Sequence, residues 1–187
     1  IFGKLYNNAL NGDPDCGGLV SYNYFSGEPI TGLSEGRPLF VRSVANRFNL
    51  ANFMRANIHA AVACLKIGND ILFNDEKIKV DRITGHGGLF KTPGVGQRIL
   101  AAALNSPISV METAGEGGAW GMALLAGYLV NNKNDRNLAD YLEMEVFAGN
   151  TGLSISPTEE DVAGFDAYIK NYLDSLPVEQ SAVAHHK

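Results

Sequence analysis

Long apolar runs are missing from this 187-residue chain. No stretch approaches the roughly 18 residues needed to span a bilayer. Basic charge is also short: 15 Lys and Arg stand against 20 Asp and Glu, for a net charge of −5. That balance argues against a nucleic-acid partner and against a membrane-surface role. Cysteine is nearly absent. Cys16 and Cys64 cannot make a disulfide framework and lack metal-ligand spacing, so they read as two ordinary thiols of a cytoplasmic protein. No Ser-His-Asp, Cys-His or metal constellation is visible, and no metal site is expected. A signal peptide is not evident either. The start at Ile1-Phe2-Gly3-Lys4, without Met, reads as a piece of a longer product. What is present is 45% apolar residues, enough for one good core with an appendage.

Residues 7–18 are dense in turn formers and read as a loop. Leu19-Val-Ser-Tyr-Asn-Tyr-Phe25 and Leu39-Phe-Val-Arg-Ser43 are rich in β-formers. The turn-rich connection between them predicts an antiparallel pair. From Leu50 the period becomes helical. Leu50, Phe53, Met54, Ile58, Ala61, Val62, Leu65 and Leu72 share one side, with Asn52, Arg55, His59 and Lys66 opposite. This predicts a long helix over residues 49–72, N-capped by Asn49. A strand is expected over 77–84.

Thr92 then reads as an N-cap with Pro93 at the first helical position, where its missing N–H costs nothing. That helix runs to Leu104, and Asn105-Ser-Pro107 ends it. Ile108-Ser-Val-Met-Glu112 is a short strand. The helix over 116–130 is apolar almost all round and is expected to be buried. Residues 131–136 mark a surface loop, and helices over 138–147 and 157–176 follow. In the second, Val162, Phe165, Ile169, Tyr172 and Leu176 form one apolar stripe, and the last seven residues are expected to fray.

Two strand–glycine–helix units in succession carry the functional signal, because such units build anion or nucleotide sites in α/β proteins. The first is Gly85-His86-Gly87-Gly88 and the second Gly115-Glu-Gly-Gly-Ala-Trp-Gly121. Gly85, Lys91 and Thr92 fit the P-loop pattern Gly-x-x-x-x-Gly-Lys-Ser/Thr. Phe90 stands where that loop needs its second glycine, and Pro93 removes a donor, so a P-loop is excluded. A milder site survives, in which Gly87 and Gly88 admit a ligand close to the backbone. The plainer reading of those glycines is a tight turn. His86 is either a ligand contact or a hydrogen-bonded bystander, and Lys91 and Arg98 are either phosphate clamps or solvated helix-end charges. Gly121 and Gly127 read as close-packing positions, whereas Glu116 and Glu159-Glu160-Asp161 read as acids favoured by a helix N-terminus.

The order of these pieces resembles the C-terminal domain of the FGGY carbohydrate kinases. Thr84-Gly-His-Gly-Gly-Leu-Phe-Lys-Thr-Pro93 is similar to that family's adenosine motif, and Gln97-Arg-Ile-Leu-Ala-Ala-Ala-Leu-Asn-Ser-Pro-Ile108 to the helix that follows. Glu116-Gly-Gly-Ala-Trp-Gly-Met-Ala-Leu-Leu-Ala-Gly127 resembles its glycine-alanine helix. Asn52-Phe-Met-Arg-Ala-Asn-Ile-His59 falls at the second signature, from which Phe40, Asn57 and His59 depart. Tyr24-Phe-Ser-Gly-Glu-Pro29 resembles the cleft loop before it.

The resemblance implies an α/β, actin-like ATPase (ribonuclease H-like) domain with a mixed sheet flanked by helices. Residues 1–18 would then be a loop or junction remnant, 19–132 the nucleotide-binding domain and 133–187 a helical extension. It implies ATP as cofactor, with Mg²⁺ held mainly by the nucleotide phosphates and the other domain. The implied ATP-binding residues are Gly85, His86, Gly87, Gly88, Lys91 and Thr92, with Phe25, Ser26 and Gly27 as the cleft loop. The family's general-base Asp and Asp-x-Gly-Thr phosphate loop belong to an N-terminal kinase domain that this sequence lacks. The implied activity is transfer of the ATP γ-phosphate to a pentulose hydroxyl, xylulose first and ribulose second, with this piece inactive alone. Rival readings are a non-catalytic actin-like binding module and an unrelated α/β substrate-binding domain. The acceptor sugar and the oligomeric state, a homodimer among the options, stay open.

Overall fold

The computed structural model describes residues 1–131, 136–149 and 152–186. The chain opens with helix α1 (Phe2–Ala9), and a 3₁₀ turn at Cys16–Gly18 leads into strand β1 (Val20–Tyr22). Residues 7–9 are therefore helix, not loop. Strand β2 (Leu39–Val41) pairs antiparallel with β1, with Ser21 opposite Phe40, as the β-rich runs predict. Helix α2 (Leu50–Asp70) starts where Asn49 accepts a hydrogen bond from the Asn52 N–H, and it continues as a π turn at Ile71–Asp75. Strand β3 (Ile83–Gly85), helix α3 (Val95–Leu104) and strand β4 (Ile108–Val110) follow as one β–α–β unit.

Helix α4 (Gly117–Asn131), the short α5 (Leu138–Tyr141) with its π continuation Leu142–Val146, and strand β5 (Leu153–Ile155) come next. Helices α6 (Glu159–Asp174) and α7 (Leu176–His185) complete the chain. β3 and β4 are parallel, and β5 joins β4 antiparallel, so the three-stranded sheet is mixed. β5 lies in the part expected to be wholly helical. Residues 181–185, expected to fray, belong to α7. The loop expected over residues 131–136 lies largely outside the described residues. Among the described residues no helix is long and apolar enough to cross a membrane.

Helix α3 starts later than the Thr-Pro pair suggests. Pro93 restrains Thr92 to an extended backbone, and Gly94 then takes a left-handed conformation with φ of +79°. Helical geometry can begin only at Val95. Once formed, α3 is nearly all buried, and its Gln97 side chain donates to the carbonyls of Ile108 at 2.6 Å and Leu153 at 2.7 Å. One amide thereby pins the helix to both β4 and β5.

The expected burial of α2 is partly inverted. Leu50, Ala61, Leu65 and Leu72 are exposed, whereas Asn52, Arg55 and His59 are buried. The cause is that α2 lies between two cores. Ile58 and Val62 join Val95, Ile99, Ile108 and Phe165 in one, while Ala56 and Ala63 join Tyr22, Tyr24, Tyr168 and Tyr172 in the other. A helix covered on several sides buries its polar residues as well, provided they find partners.

They do. Arg55 Nη2 meets Asp161 Oδ1 at 2.8 Å, Arg55 Nη1 donates to the Gly12 carbonyl at 3.0 Å, and Arg55 Nε donates to His59 Nε2 at 3.3 Å. Arg98 Nε reaches the other Asp161 oxygen at 2.6 Å, and Thr158 Oγ1 donates to the same oxygen at 2.8 Å. Asp161 is thus far more than a first-turn acid. Burial pushes its pKa up, but the hydrogen bonds from Arg98, Arg55 and Thr158 prevail and hold it below the ordinary value.

The second core is aromatic. Tyr22 Oη donates to the Tyr172 carbonyl, and Tyr172 Oη donates to Tyr24 Oη, both at 2.5 Å. Burial pushes the Tyr24 hydroxyl up to about 12 and raises the thiols of Cys16 and Cys64, so these groups stay neutral near pH 7.

Helix α4 is the largest departure. Expected to be buried, it has no buried residue, and Leu129 and Val130 are 80% and 79% exposed. Its ring contacts run to the α5 segment: Trp120 to Phe147 at 5.6 Å and Tyr128 to Tyr141 at 5.3 Å. Apolar composition on all sides demands cover but cannot say what supplies it. Here the helix stands off the sheet.

Two outcomes test the buried network. Replacing Asp161→Asn leaves Arg55 charged and uncompensated, and denaturant titration should show a loss of about 3–5 kcal/mol. The second concerns His59, whose pKa burial and the Arg55 charge hold well below its ordinary value, against the opposing pull of Asp161. The unfolded chain takes up this proton at about pH 6.5 while the folded chain does not. Stability therefore falls as pH drops below that value, by about 1.4 kcal/mol per pH unit from this group. In His59→Gln that increment of slope between pH 6.5 and 5 should vanish, which titrations at stepped pH would read.

Candidate functional site

The two glycine turns leave the carboxyl ends of the parallel strands β3 and β4, where open α/β sheets receive ligands. They are joined directly: the Gly87 N–H donates to the Ala114 carbonyl at 2.8 Å. Gly87 has φ of +105° and ψ of −175°, a backbone conformation closed to residues with a Cβ, so glycine is required there for shape. Gly85 is required for a different reason. A Cβ on it would stand 2.4 Å from the Phe90 ring, which folds back over the strand end. Phe90, the residue that breaks the P-loop pattern, is thus a packed wall of the first turn.

Between these turns, the start of α3 and the start of β5 lies a cleft of about 610 Å³. Its walls are apolar at Phe90, Pro93, Val110, Met111 and Leu153, and polar at Lys91, Gln97, Glu112 and Glu116. Gly94 and Gln97 bring the N-terminus of α3 to the cleft, so the positive end of the helix dipole faces it. Lys91 Nζ reaches across to Glu116 Oε1 at 2.6 Å, joining the first turn to the second. The size and the mix of apolar walls with a few polar groups suit a ligand of nucleotide dimensions, since such pockets span roughly 300–1,000 Å³.

Of the ATP-binding and cleft-loop residues that the resemblance implies, only Lys91 lines this cleft. Gly85 is buried under Phe90, and His86 is exposed, its Cβ 3.2 Å from where a Cβ on Gly117 would lie. Gly87 and Gly88 border open space, with nothing within 4 Å of a Cβ at either. Thr92 is half-buried between Lys91 and Pro93 without lining the cleft. Phe25, Ser26 and Gly27 sit in the β1–β2 connection, and none of them lines it. Phe25 is exposed there, while Gly27 packs on the Ser34 backbone. Arg98 is no solvated clamp, because it is spent on Asp161. Gly121 has nothing within 4 Å and Gly127 only the Tyr141 hydroxyl at 3.5 Å, so close packing explains neither.

Sequence reasoning missed Gln97, Glu112 and Gly152 as lining residues. Gln97 carried a signal in hindsight, being a polar residue in an otherwise apolar helix. Gly152 had none, because β5 reaches the cleft only through its pairing with β4. Among the described residues no cluster of three side chains that could hold a metal ion is present.

The family model for the C-terminal domain of the FGGY family of carbohydrate kinases matches residues 4–130. No curated protein matches the chain in sequence. Solved structures do match in fold. The xylulose kinase from Lactobacillus acidophilus aligns over 97% of this chain and 35% of its own, with a TM-score of 0.70 and 20% identity. The gluconate kinase from the same organism aligns over the same shares, at 0.68 and 19%. The ADP-bound glycerol kinase from Plasmodium falciparum aligns over 94% and 33%, at 0.64 and 16%. The chain therefore spans about a third of the length of these kinases. At such identities the likeness speaks for the fold, which is that of the actin-like ATPases. With the family match over most of its length, the chain belongs to the FGGY family of carbohydrate kinases and carries the C-terminal domain of that family.

Proposed function

We propose that this chain is the ATP-facing domain of a sugar kinase, and that the cleft between its two glycine turns receives the nucleotide. The observation that carries the reading is the union of those turns at the carboxyl ends of β3 and β4, held by the Gly87 N–H to Ala114 carbonyl bond. Bound ATP supplies the γ-phosphate that is passed to a sugar hydroxyl. Phe90, Pro93, Val110, Met111 and Leu153 offer apolar surface to the base, and Gln97 has its amide already fixed by two carbonyls. The N–H of Gly87 is engaged by Ala114, so Gly87 serves the ligand through the shape of its turn, which leads the chain to Lys91 at the cleft. The start of α3 favours phosphate charge nearby, and Lys91 is the cation within reach. His86 and Thr92 flank the same turn, outside the cleft itself. Mg²⁺ would arrive with the nucleotide, held mainly by its phosphates and by the other domain, and would offset the charge that develops on the transferred phosphate.

In-line transfer needs a base that accepts the sugar proton and a second wall that holds the sugar. The family resemblance assigns both to an N-terminal domain, with closure between the domains excluding water. The acceptor in this reading is a pentulose, xylulose first and ribulose second, supported by motif resemblance alone.

Two measurements test the proposal. Calorimetry with the 187-residue chain should detect ATP binding, and Gly87→Val, forced into a left-handed backbone beside the cleft, should weaken it about tenfold or more with circular dichroism unchanged. Equal affinity in that variant would remove Gly87 from the site. In a coupled assay for ADP, the chain alone should show no pentulose-dependent turnover, whereas full-length protein should respond to xylulose or ribulose within a panel of polyols. Turnover by the chain alone would overturn the division of labour between domains. Silence of the full-length protein with ATP bound would favour a non-catalytic actin-like module.

A further inference from the structure

Lys91 and Glu116 belong to different turns and meet at the cleft with Nζ and Oε1 2.6 Å apart. Gly115 lies under the lysine stem, where a Cβ would come within 3.1 Å of Lys91 Cγ. The missing side chain lets the stem lie across the second turn and deliver its ammonium to Glu116. Among the described residues lining the cleft, Lys91 is the only cation, against two carboxylates at Glu112 and Glu116. A phosphate entering the cleft therefore meets a lysine that is already neutralised.

Resting on the nucleotide reading above, we infer that Glu116 is a counter-ion gate that sets which nucleotides can engage Lys91. Both partners are more than half exposed, so the pair is weak and exchangeable. A ligand that brings a single negative charge replaces Glu116 with little gain. A polyphosphate brings several charges, displaces the carboxylate and takes the lysine. A nucleoside does not use Lys91 and is indifferent to the pair. Glu116 thus lowers affinity for every nucleotide that needs Lys91, and it favours the polyphosphates among them.

Calorimetry in low-salt buffer, with ATP and adenosine as probes, tests this on the wild-type chain, Glu116→Gln, Lys91→Met and the double variant. Glu116→Gln should tighten ATP by about two- to fivefold, the range expected for one exposed pair. Adenosine affinity should stay unchanged, and the gain for ATP should disappear in the Lys91→Met background. An unchanged or weaker ATP affinity in Glu116→Gln, or the same gain without Lys91, would overturn the gate while leaving the nucleotide reading intact. Absence of ATP binding by every form would overturn both. A second readout needs no nucleotide: an amine-reactive reagent should label Lys91 faster in Glu116→Gln, and an equal rate would also overturn the gate.

Discussion

The carboxylate of Asp161 holds three helices together. It sits at the start of α6 and accepts from Arg55 on α2 and Arg98 on α3, with its own helix cap, Thr158, as a further donor. Arg55 and Asp161 are 2% and 1% exposed, so neither charge has water to fall back on. A buried pair of this kind is weak evidence for net stability, but losing one member is costly because the other is stranded. Its consequence here is geometric. α3 is fixed against α2 and α6 on one side, and Gln97 fixes it against β4 and β5 on the other. The N-terminus of α3 forms part of the cleft, so the position of the candidate site descends from an ion pair well inside the protein.

The cleft itself is made by backbone shape more than by reactive side chains. Gly87 and Gly94 hold left-handed turns, Gly85 makes room for Phe90, and Gly115 makes room for the stem of Lys91. Such a surface can position a ligand and present one helix dipole and one lysine to it. Among the described residues that line it, the polar side chains are Lys91, Gln97, Glu112 and Glu116.

Elements with strong local signals were legible in the sequence. Asn49 caps α2, the β-rich runs pair antiparallel, and α3 ends at Asn105 as expected, although the strand expected over residues 77–84 forms only at Ile83–Gly85. The order of the glycine turns carried the family. Less legible was anything decided by contacts distant in sequence. Arg55 and His59 look like a solvent face until α6 covers them, and Asp161 looks like a helix-capping acid until two arginines arrive from 106 and 63 residues away. β5 is three residues long and gains its identity only from pairing with β4. Lys91 and Glu116 give no hint of each other across 25 residues.

By itself, then, the sequence determined the central helices, the turns and the kind of surface each segment needs, because propensity, capping and glycine conformation act over a few residues. The tertiary structure alone decided which polar side chains are buried as partners, which residues wall the cleft and which apolar helix stands uncovered. Those outcomes depend on which segments meet. A buried charge is tolerated only where an opposite charge from elsewhere in the chain is delivered to it.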